Sequence, residues 1–73
     1  MTSFERRIKI IKMLYSRNHE TMGNLSVELG VSKKTIQRDI TELSRIIPIY
    51  TRSGRYNGGV YLLKNSTNKN FSP

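Results

Sequence analysis

Hydrogen-bond donors with a helical repeat are concentrated between residues 33 and 47. Arginine and glutamine can each form paired hydrogen bonds with a base edge in a DNA major groove, while lysine and threonine suit phosphate oxygens. On a helix, one side of this stretch carries such residues: Lys34, Arg38, Thr41 and Arg45, flanked by Thr35 and Gln37. The pattern therefore indicates recognition of a nucleic acid rather than the making or breaking of bonds.

The opposite side of the same helix is apolar. Its four aliphatic residues fall within about 60° of one another on a helical projection, and we expect them to be buried: Ile36, Ile40, Leu43 and Ile47. Ser32 is a predicted N-cap, and the positive end of the helix dipole beyond it suits a phosphate group. Lys33 and Lys34 are unfavourable at that end unless an external anion is present. The competing interpretation is an ordinary solvated helix face.

Three helices are predicted to position these residues: about 3–17, 22–29 and 33–46. Thr2 and Glu5 have the spacing of a capping box at the start of the first helix. Thr21 is the predicted N-cap of the second helix, and Gly30 suits the left-handed residue that ends it. Pro48 stops the third helix. The short connection between the second and third helices predicts a helix-turn-helix.

Two short runs rich in β-branched and aromatic residues follow the helices: 49–52 and 60–63. Because the segment between them is rich in glycine, we predict a hairpin wing over about 49–63. Residues 64–73 are polar, lack periodicity and are predicted to be a disordered tail. The expected domain spans 1–63, and its fold class is mainly α with a small β-hairpin (α+β), a three-helix winged helix-turn-helix.

Composition limits the class of protein. The chain has 73 residues, no cysteine and a net charge of +8, with 13 lysines and arginines against five acids. We expect one small domain without disulfides and a polyanionic partner. No apolar run approaches the ~20 residues that cross a bilayer, and the N-terminus lacks a secretory apolar region. A cytoplasmic protein without a membrane partner is therefore expected.

Enzyme chemistry is not expected. His19 is the single histidine, cysteine is absent, and no set of nucleophile, base and orienting group can be assembled from the sequence. We predict no catalytic site, no metal site and no cofactor, place His19 in a loop, and infer no small-molecule effector.

Two stretches carry a family resemblance: LSVELGVSKKTIQRDITEL and IPIYTRSGRYNGGVYLL. They resemble the winged helix-turn-helix of DeoR-type bacterial transcription regulators, in the variant that precedes WYL domains, over residues 6–63. The resemblance implies that the helix from Lys33 is the recognition helix and that residues 52–59 form a wing on the DNA backbone or in the minor groove. It also implies that three residues stand at DNA-contacting positions: Thr35, Gln37 and Arg38.

Departures from the family pattern bear on these expectations. Lys34 stands where the family usually has arginine, which replaces a paired guanine contact by a point charge. Val60 stands where tyrosine is common, with Tyr61 after it. Family members normally carry a sensor domain after the wing, so we expect either a stand-alone module or the DNA-binding fragment of a larger sensor regulator.

The predicted DNA-binding set lies on the second and third helices and the wing: Thr21, Ser32, Lys33, Lys34, Thr35, Gln37, Arg38, Thr41, Arg52, Arg55 and Tyr56. Arg38 is expected to contact a base or, alternatively, a phosphate, and Gln37 either an adenine or the backbone. Thr21 and Thr35 are expected to bond phosphates; the alternatives are that Thr21 only caps its helix and Thr35 only satisfies a carbonyl.

Three further residues have individual expectations. Arg55 either enters a minor groove or stays solvated, and Tyr56 either stacks on a sugar or covers the hairpin. Asp39 is unsuited to a phosphate, so we expect an internal ion pair with a basic residue of the first helix or of the wing.

Apolar residues of the first helix cover roughly 160° of its surface, more than one packing face requires: Phe4, Ile8, Ile10, Ile11, Leu14 and Tyr15. The family pattern places Ile10, Ile11 and Leu14 in the core. We predict that the remaining edge, with one off-face methionine, forms a homodimer contact: Phe4, Ile8, Met13 and Tyr15. The alternative is that all six stripe residues pack inside against the hairpin.

These observations predict a sequence-specific double-stranded DNA-binding transcription regulator, a repressor that occupies promoter DNA as a homodimer. The alternative is an interaction module that uses the winged-helix surface to hold a protein partner. RNA binding is disfavoured because the aromatic residues are scattered along the sequence and are not expected to form a stacking platform.

Overall fold

A computed structural model describes residues 1–54 and 58–63. The elements follow in the order α1 (Ser3–Arg17), β1 (His19–Glu20), α2 (Met22–Leu29), α3 (Lys33–Leu43), β2 (Ile49–Arg52) and β3 (Gly59–Leu62). The strands form one antiparallel sheet in the order β1-β3-β2. The predicted α+β winged helix-turn-helix is confirmed. The predicted tail, 64–73, and the wing residues Arg55 and Tyr56 lie outside the described residues.

Side-chain caps start all three helices. The Thr2 hydroxyl accepts from the Glu5 amide at 3.0 Å, and the Glu5 carboxylate accepts from the Thr2 amide at 3.0 Å, which completes the capping box. Thr21 and Ser32 cap α2 and α3, each accepting from an amide three residues later, at 3.0 and 3.2 Å. The three predicted helix starts are therefore confirmed.

The connection between α2 and α3 is a glycine turn. Gly30 has φ 68°, in the left-handed region, and its amide donates to the Ser26 carbonyl. Val31 then packs against the core, and Ser32 starts α3. This turn fixes the direction of α3 relative to α2.

The core lies between the helices and one face of the sheet. Its buried apolar members come from α1, α2, α3, β2 and β3: Ile10, Leu14, Leu25, Leu29, Ile36, Ile40, Leu43, Ile49 and Val60. Ile47, predicted to be buried, is half-buried and packs against this cluster. Within the described ranges, no helix is long and apolar enough to span a membrane.

Helix α3 ends at Leu43, earlier than the predicted residue 46. The amides of Arg45 and Ile46 donate to carbonyls three residues before them, at 3.2 and 2.9 Å, so the chain tightens into a turn. This turn leaves Ile46 exposed and leads to Ile49, which is buried at the start of β2. The predicted helix boundary was wrong because a local turn, rather than Pro48, ends the helix.

The placement of His19 in a loop was also wrong, since His19 and Glu20 form β1. His19 pairs with Tyr61 and Glu20 with Val60 in β3, and the Leu62 amide donates to the Asn18 carbonyl at 2.9 Å. The wing is therefore part of a three-stranded sheet rather than an isolated hairpin. Two residues are too few to show an alternating pattern, and their partner strand lies some forty residues later in the sequence.

Candidate nucleic-acid interface

Helix α3 has an anchored side and an outer side. Ile36, Ile40 and Leu43 are at most 3% exposed. On the outer side the predicted contact residues are exposed, except for Thr35, which is half-buried: Lys33, Lys34, Thr35, Gln37, Arg38 and Thr41. The structure therefore brings these predicted residues together on one surface.

The start of α3 is an accessible positive helix end. Besides accepting from the Thr35 amide, the Ser32 hydroxyl donates to the Thr35 hydroxyl at 3.1 Å. The first amides of a helix lack intrahelical partners, and exposed Lys33 and Lys34 lie beside them. Lys33 also extends across α2, because a Cβ added to Gly23 would lie 3.6 Å from its Cε atom. Positive charge is therefore concentrated near the N-terminal ends of α2 and α3.

Asp39 anchors α3 to α1 from within. Its side chain is 0% exposed and accepts from Arg6 Nη2 at 2.9 Å and from Arg7 Nε at 2.9 Å, in addition to Arg6 Nε. Burial alone raises the pKa of Asp39, but the hydrogen bonds and charges of both arginines outweigh it, and the pKa lies below its ordinary value. The expectation of an internal ion pair is confirmed, with α1 rather than the wing as the partner.

Every acidic side chain has a partner, and Glu42 is the one acid exposed on α3. The chain has five acids. Glu5 completes the capping box, Glu20 and Glu28 both bind Arg17, and Glu42 lies 3.5 Å from Arg45. Asp39 is the fifth. In the part of the chain that the structure describes, Lys33, Lys34 and Arg38 form no ion pair, so their charge is directed to solvent.

The three predicted threonines differ in how their hydroxyls are used. Thr21 is exposed and its oxygen caps α2. Thr35 accepts from Ser32, and Thr41 donates to the Gln37 carbonyl at 3.0 Å. A hydroxyl has one donor and two acceptor positions. Thr21 and Thr35 therefore retain a donor for a phosphate oxygen, whereas the Thr41 donor is occupied.

The wing strands carry a row of stacked rings on the face of the sheet that is turned away from the core. The Tyr61 ring lies 4.2 Å from the His19 ring and 5.3 Å from the Tyr50 ring, both nearly parallel, and the Arg52 guanidinium lies 5.4 Å from the Tyr61 ring. This stack orients Arg52, a predicted wing contact, at the end of β2. The sequence argument missed the row, although alternation of Tyr50 with Arg52 places both on one face.

A groove of about 300 Å³ separates α3 from the wing strand β2. It is lined by the C-terminal half of α3 and by β2: Ile40, Thr41, Ser44, Ile49, Tyr50 and Thr51. Thr41 of the predicted set therefore lies beside the wing, and the outer face of α3 continues towards β2.

The predicted dimer residues occupy two environments on α1. Phe4, Ile8 and Tyr15 are exposed, whereas Met13 is half-buried and packs against the core. The alternative in which all six stripe residues pack inside was wrong, because three of them are exposed, while Ile10 and Leu14 are buried and Ile11 packs against the core. Phe4 and Ile8, but not Tyr15, line a groove together with Lys9 and Lys12.

No metal-binding group of three or more histidines, cysteines, aspartates or glutamates occurs among residues 1–54 and 58–63. Comparison of the sequence with family models gives a match over residues 6–68, to a family described as HTH domain, for helix-turn-helix. Comparison with curated proteins and with solved structures gives no significant match. The matched range includes α2, the glycine turn, α3 and the three strands.

Proposed function

The chain belongs to the HTH domain family, and from this premise we propose that it is a transcription regulator that recognises specific sequences in double-stranded DNA. Helix α3 enters the major groove from Lys33 onwards, and the wing, residues 52–59, lies on the backbone or in the minor groove. The proposed contacts are those predicted from the sequence: Thr21, Ser32, Lys33, Lys34, Thr35, Gln37, Arg38, Thr41 and Arg52, with Arg55 and Tyr56 on sequence grounds.

The observation that carries this proposal is the separation of charge on α3. Asp39 is fully buried against Arg6 and Arg7, while Lys33, Lys34 and Arg38 are exposed with no ion pair among the described residues. A helix that served only as a solvated surface would gain from acids near its cations. A surface of unpaired donors instead suits phosphates and base edges.

Roles within this surface follow from reach and position. Arg38 is exposed one turn into α3, where its two-pronged guanidinium suits the two acceptors of a guanine. Lys33, Lys34 and the start of α3 suit a phosphate, and the hydroxyls of Thr21 and Thr35 suit neighbouring backbone oxygens. Repression follows from occupancy alone, because a bound domain at a promoter excludes other proteins from the same DNA.

A homodimer fits this proposal. A single small domain contacts few base pairs, and two-fold pairing aligns two recognition helices with two half-sites. The support is that Phe4, Ile8 and Tyr15 are exposed apolar residues on one side of α1.

Selection of binding sites from random duplex DNA at about 0.15 M salt tests the proposed function, because charge alone binds weakly there. We expect a defined motif to be enriched. Arg38→Ala is expected to weaken binding to that motif by about 1–3 kcal/mol and to relax preference at one position. Arg45→Ala is the matched control, since Arg45 lies beyond α3, beside Glu42, and its loss is expected to change affinity slightly and evenly.

Two results would contradict the proposal. Enrichment of no motif, with residual binding that disappears as salt is added, would indicate a general polyanion surface and favour a protein partner. If Arg38→Ala and Arg45→Ala changed affinity and sequence preference equally, Arg38 would not be a base-contacting residue.

A further inference from the structure

Apolar residues along one side of α1 have the spacing of a coiled-coil seam. The seam consists of Met1, just before α1, and four residues of α1, separated by three, four, three and four residues, the a and d positions of a heptad repeat: Met1, Phe4, Ile8, Ile11 and Tyr15. Phe4 is 72% exposed, Tyr15 54% and Ile8 36%. Only Ile11 of this seam packs against the core, so the seam faces solvent in the isolated chain.

The charges beside the seam are suited to a second copy of this chain. Glu5 and Lys12 occupy the two e positions of the seam, and both are exposed. When two such helices lie antiparallel, e positions of one helix face e positions of the other. Glu5 of each copy then faces Lys12 of the other, and two-fold symmetry repeats this pair. A parallel pairing would instead bring Lys12 towards Arg7, a like charge.

We propose that α1 pairs antiparallel with α1 of a second copy, with Phe4 against the other copy's Tyr15 and Ile8 against its Ile11. A groove of about 410 Å³, lined by Met1, Phe4, Ile8, Glu5, Lys9 and Lys12, lies open beside Phe4 to receive the edge of the opposing helix. This inference rests on the proposed homodimeric regulator and specifies its interface and symmetry. A two-fold axis across α1 requires half-sites in inverted rather than direct orientation.

The interface is small, so DNA supports the dimer. An α1 of 15 residues is about 22 Å long, and two such helices bury less than the standard interface of about 1,600 Å². Binding to adjacent half-sites holds two copies together and raises their effective concentration. Self-association is therefore weak in free solution and strong on an operator with two half-sites.

Charge reversal tests the pairing directly by sedimentation equilibrium without DNA. Lys12→Glu places a glutamate opposite Glu5 twice, and we expect it to weaken self-association about tenfold, a few-fold for each pair lost and made repulsive. The double variant Glu5→Lys, Lys12→Glu restores both pairs and is expected to restore wild-type association. Arg45→Glu is the matched control, because it changes the net charge equally at an exposed residue outside α1.

Folding is checked separately, because Glu5 also completes the capping box. Melting by circular dichroism sets a temperature at which every variant is folded, and Lys12→Glu, which leaves the cap intact, gives a result that does not depend on Glu5. Wild-type association by Lys12→Glu, or no recovery in the double variant, would overturn the proposal.

A second readout uses duplexes that carry one selected half-site or two in inverted orientation. We expect Lys12→Glu to lose cooperative binding to the inverted pair while keeping its affinity for the single half-site. Equal cooperativity on inverted and direct repeats, or a wild-type chain that is monomeric in solution and non-cooperative on DNA, would overturn the inference and leave the seam for a different protein. If the wild-type chain bound neither duplex, the proposed function would be refuted. The sedimentation result would still decide whether α1 forms the interface.

Discussion

Replacing Asp39 by asparagine removes the buried negative charge between α1 and α3 and preserves the shape of the side chain. Arg6 and Arg7 then face each other with a neutral amide in place of the carboxylate that both now bind. The change therefore tests whether this ion-pair cluster holds α3 against α1.

The expected loss of stability follows from burial. Removing one partner of a buried ion pair typically costs about 3–5 kcal/mol. Two features place Asp39→Asn at the lower end. Asparagine keeps one oxygen that accepts a hydrogen bond, and the Arg6 and Arg7 side chains are 13% and 35% exposed, so water reaches them. We expect a loss of about 3 kcal/mol, which lowers the melting temperature by about 12–24 °C in a domain of this size.

Thermal melting at neutral pH measures this loss, with Glu42→Gln as the matched control. Glu42 is an exposed acid of α3 whose arginine partner lies 3.5 Å away, and its neutralisation is expected to change stability by less than about 0.5 kcal/mol. If Asp39→Asn melted within a few degrees of Glu42→Gln, the cluster would not anchor α3 and the reasoning would fail.

The pH dependence gives a second check on the same variant. The pKa of Asp39 is lowered in the folded chain, so its contribution is complete above the unfolded value of about 3.9 and is lost as pH falls through the folded value. The stability difference between wild type and Asp39→Asn is therefore expected to be constant from about pH 7 to pH 5 and to narrow below about pH 4. A difference that widened in acid would contradict the lowered pKa.

Two further predictions concern backbone positions. Gly59→Ala should lower the urea midpoint of unfolding strongly, because the φ of Gly59 is 134° and an added Cβ would lie 2.5 Å from the Glu20 carbonyl oxygen and 2.9 Å from His19 Nε2. Gly30→Ala is the control, since nothing lies within 4 Å of a Cβ added there. If both variants lowered the midpoint equally, the clash at Gly59 would be refuted. Ser32→Ala removes the cap of α3 and should cost about 1 kcal/mol in thermal melting, together with weaker DNA binding at the start of α3; unchanged melting would show that the cap is dispensable.

Features that depend on nearby residues were predictable from the sequence. The caps at Thr2, Thr21 and Ser32 each join a side chain to an amide three residues later, so the sequence spacing alone identifies both partners of the hydrogen bond. The apolar side of α3 was likewise predictable, because period 3.6 alone separates Ile36 and Ile40 from Arg38.

Features that depend on distant partners were not predictable in the same way. The sequence indicated that Asp39 pairs with a basic residue, but it did not distinguish a partner on α1 from one on the wing. The packing of α1 against α3 is what makes Arg6 and Arg7 the partners. The ring row joins His19 and Tyr61, which are far apart in the chain and meet because β1 pairs with β3. The end of α3 was missed because the carbonyls of Glu42 and Leu43 are satisfied by a tightened turn.

The strand order β1-β3-β2 places the latest-synthesised strand of the described sheet at its centre. While the chain leaves the ribosome, β1 and β2 are both complete before β3 and have no partner in common until residues 59–62 appear. The three helices are complete before β2 and β3, since α1, α2 and α3 all precede these strands in the chain. Because β3 pairs with both β1 and β2, the same four residues that complete the wing also join it to the strand that follows α1.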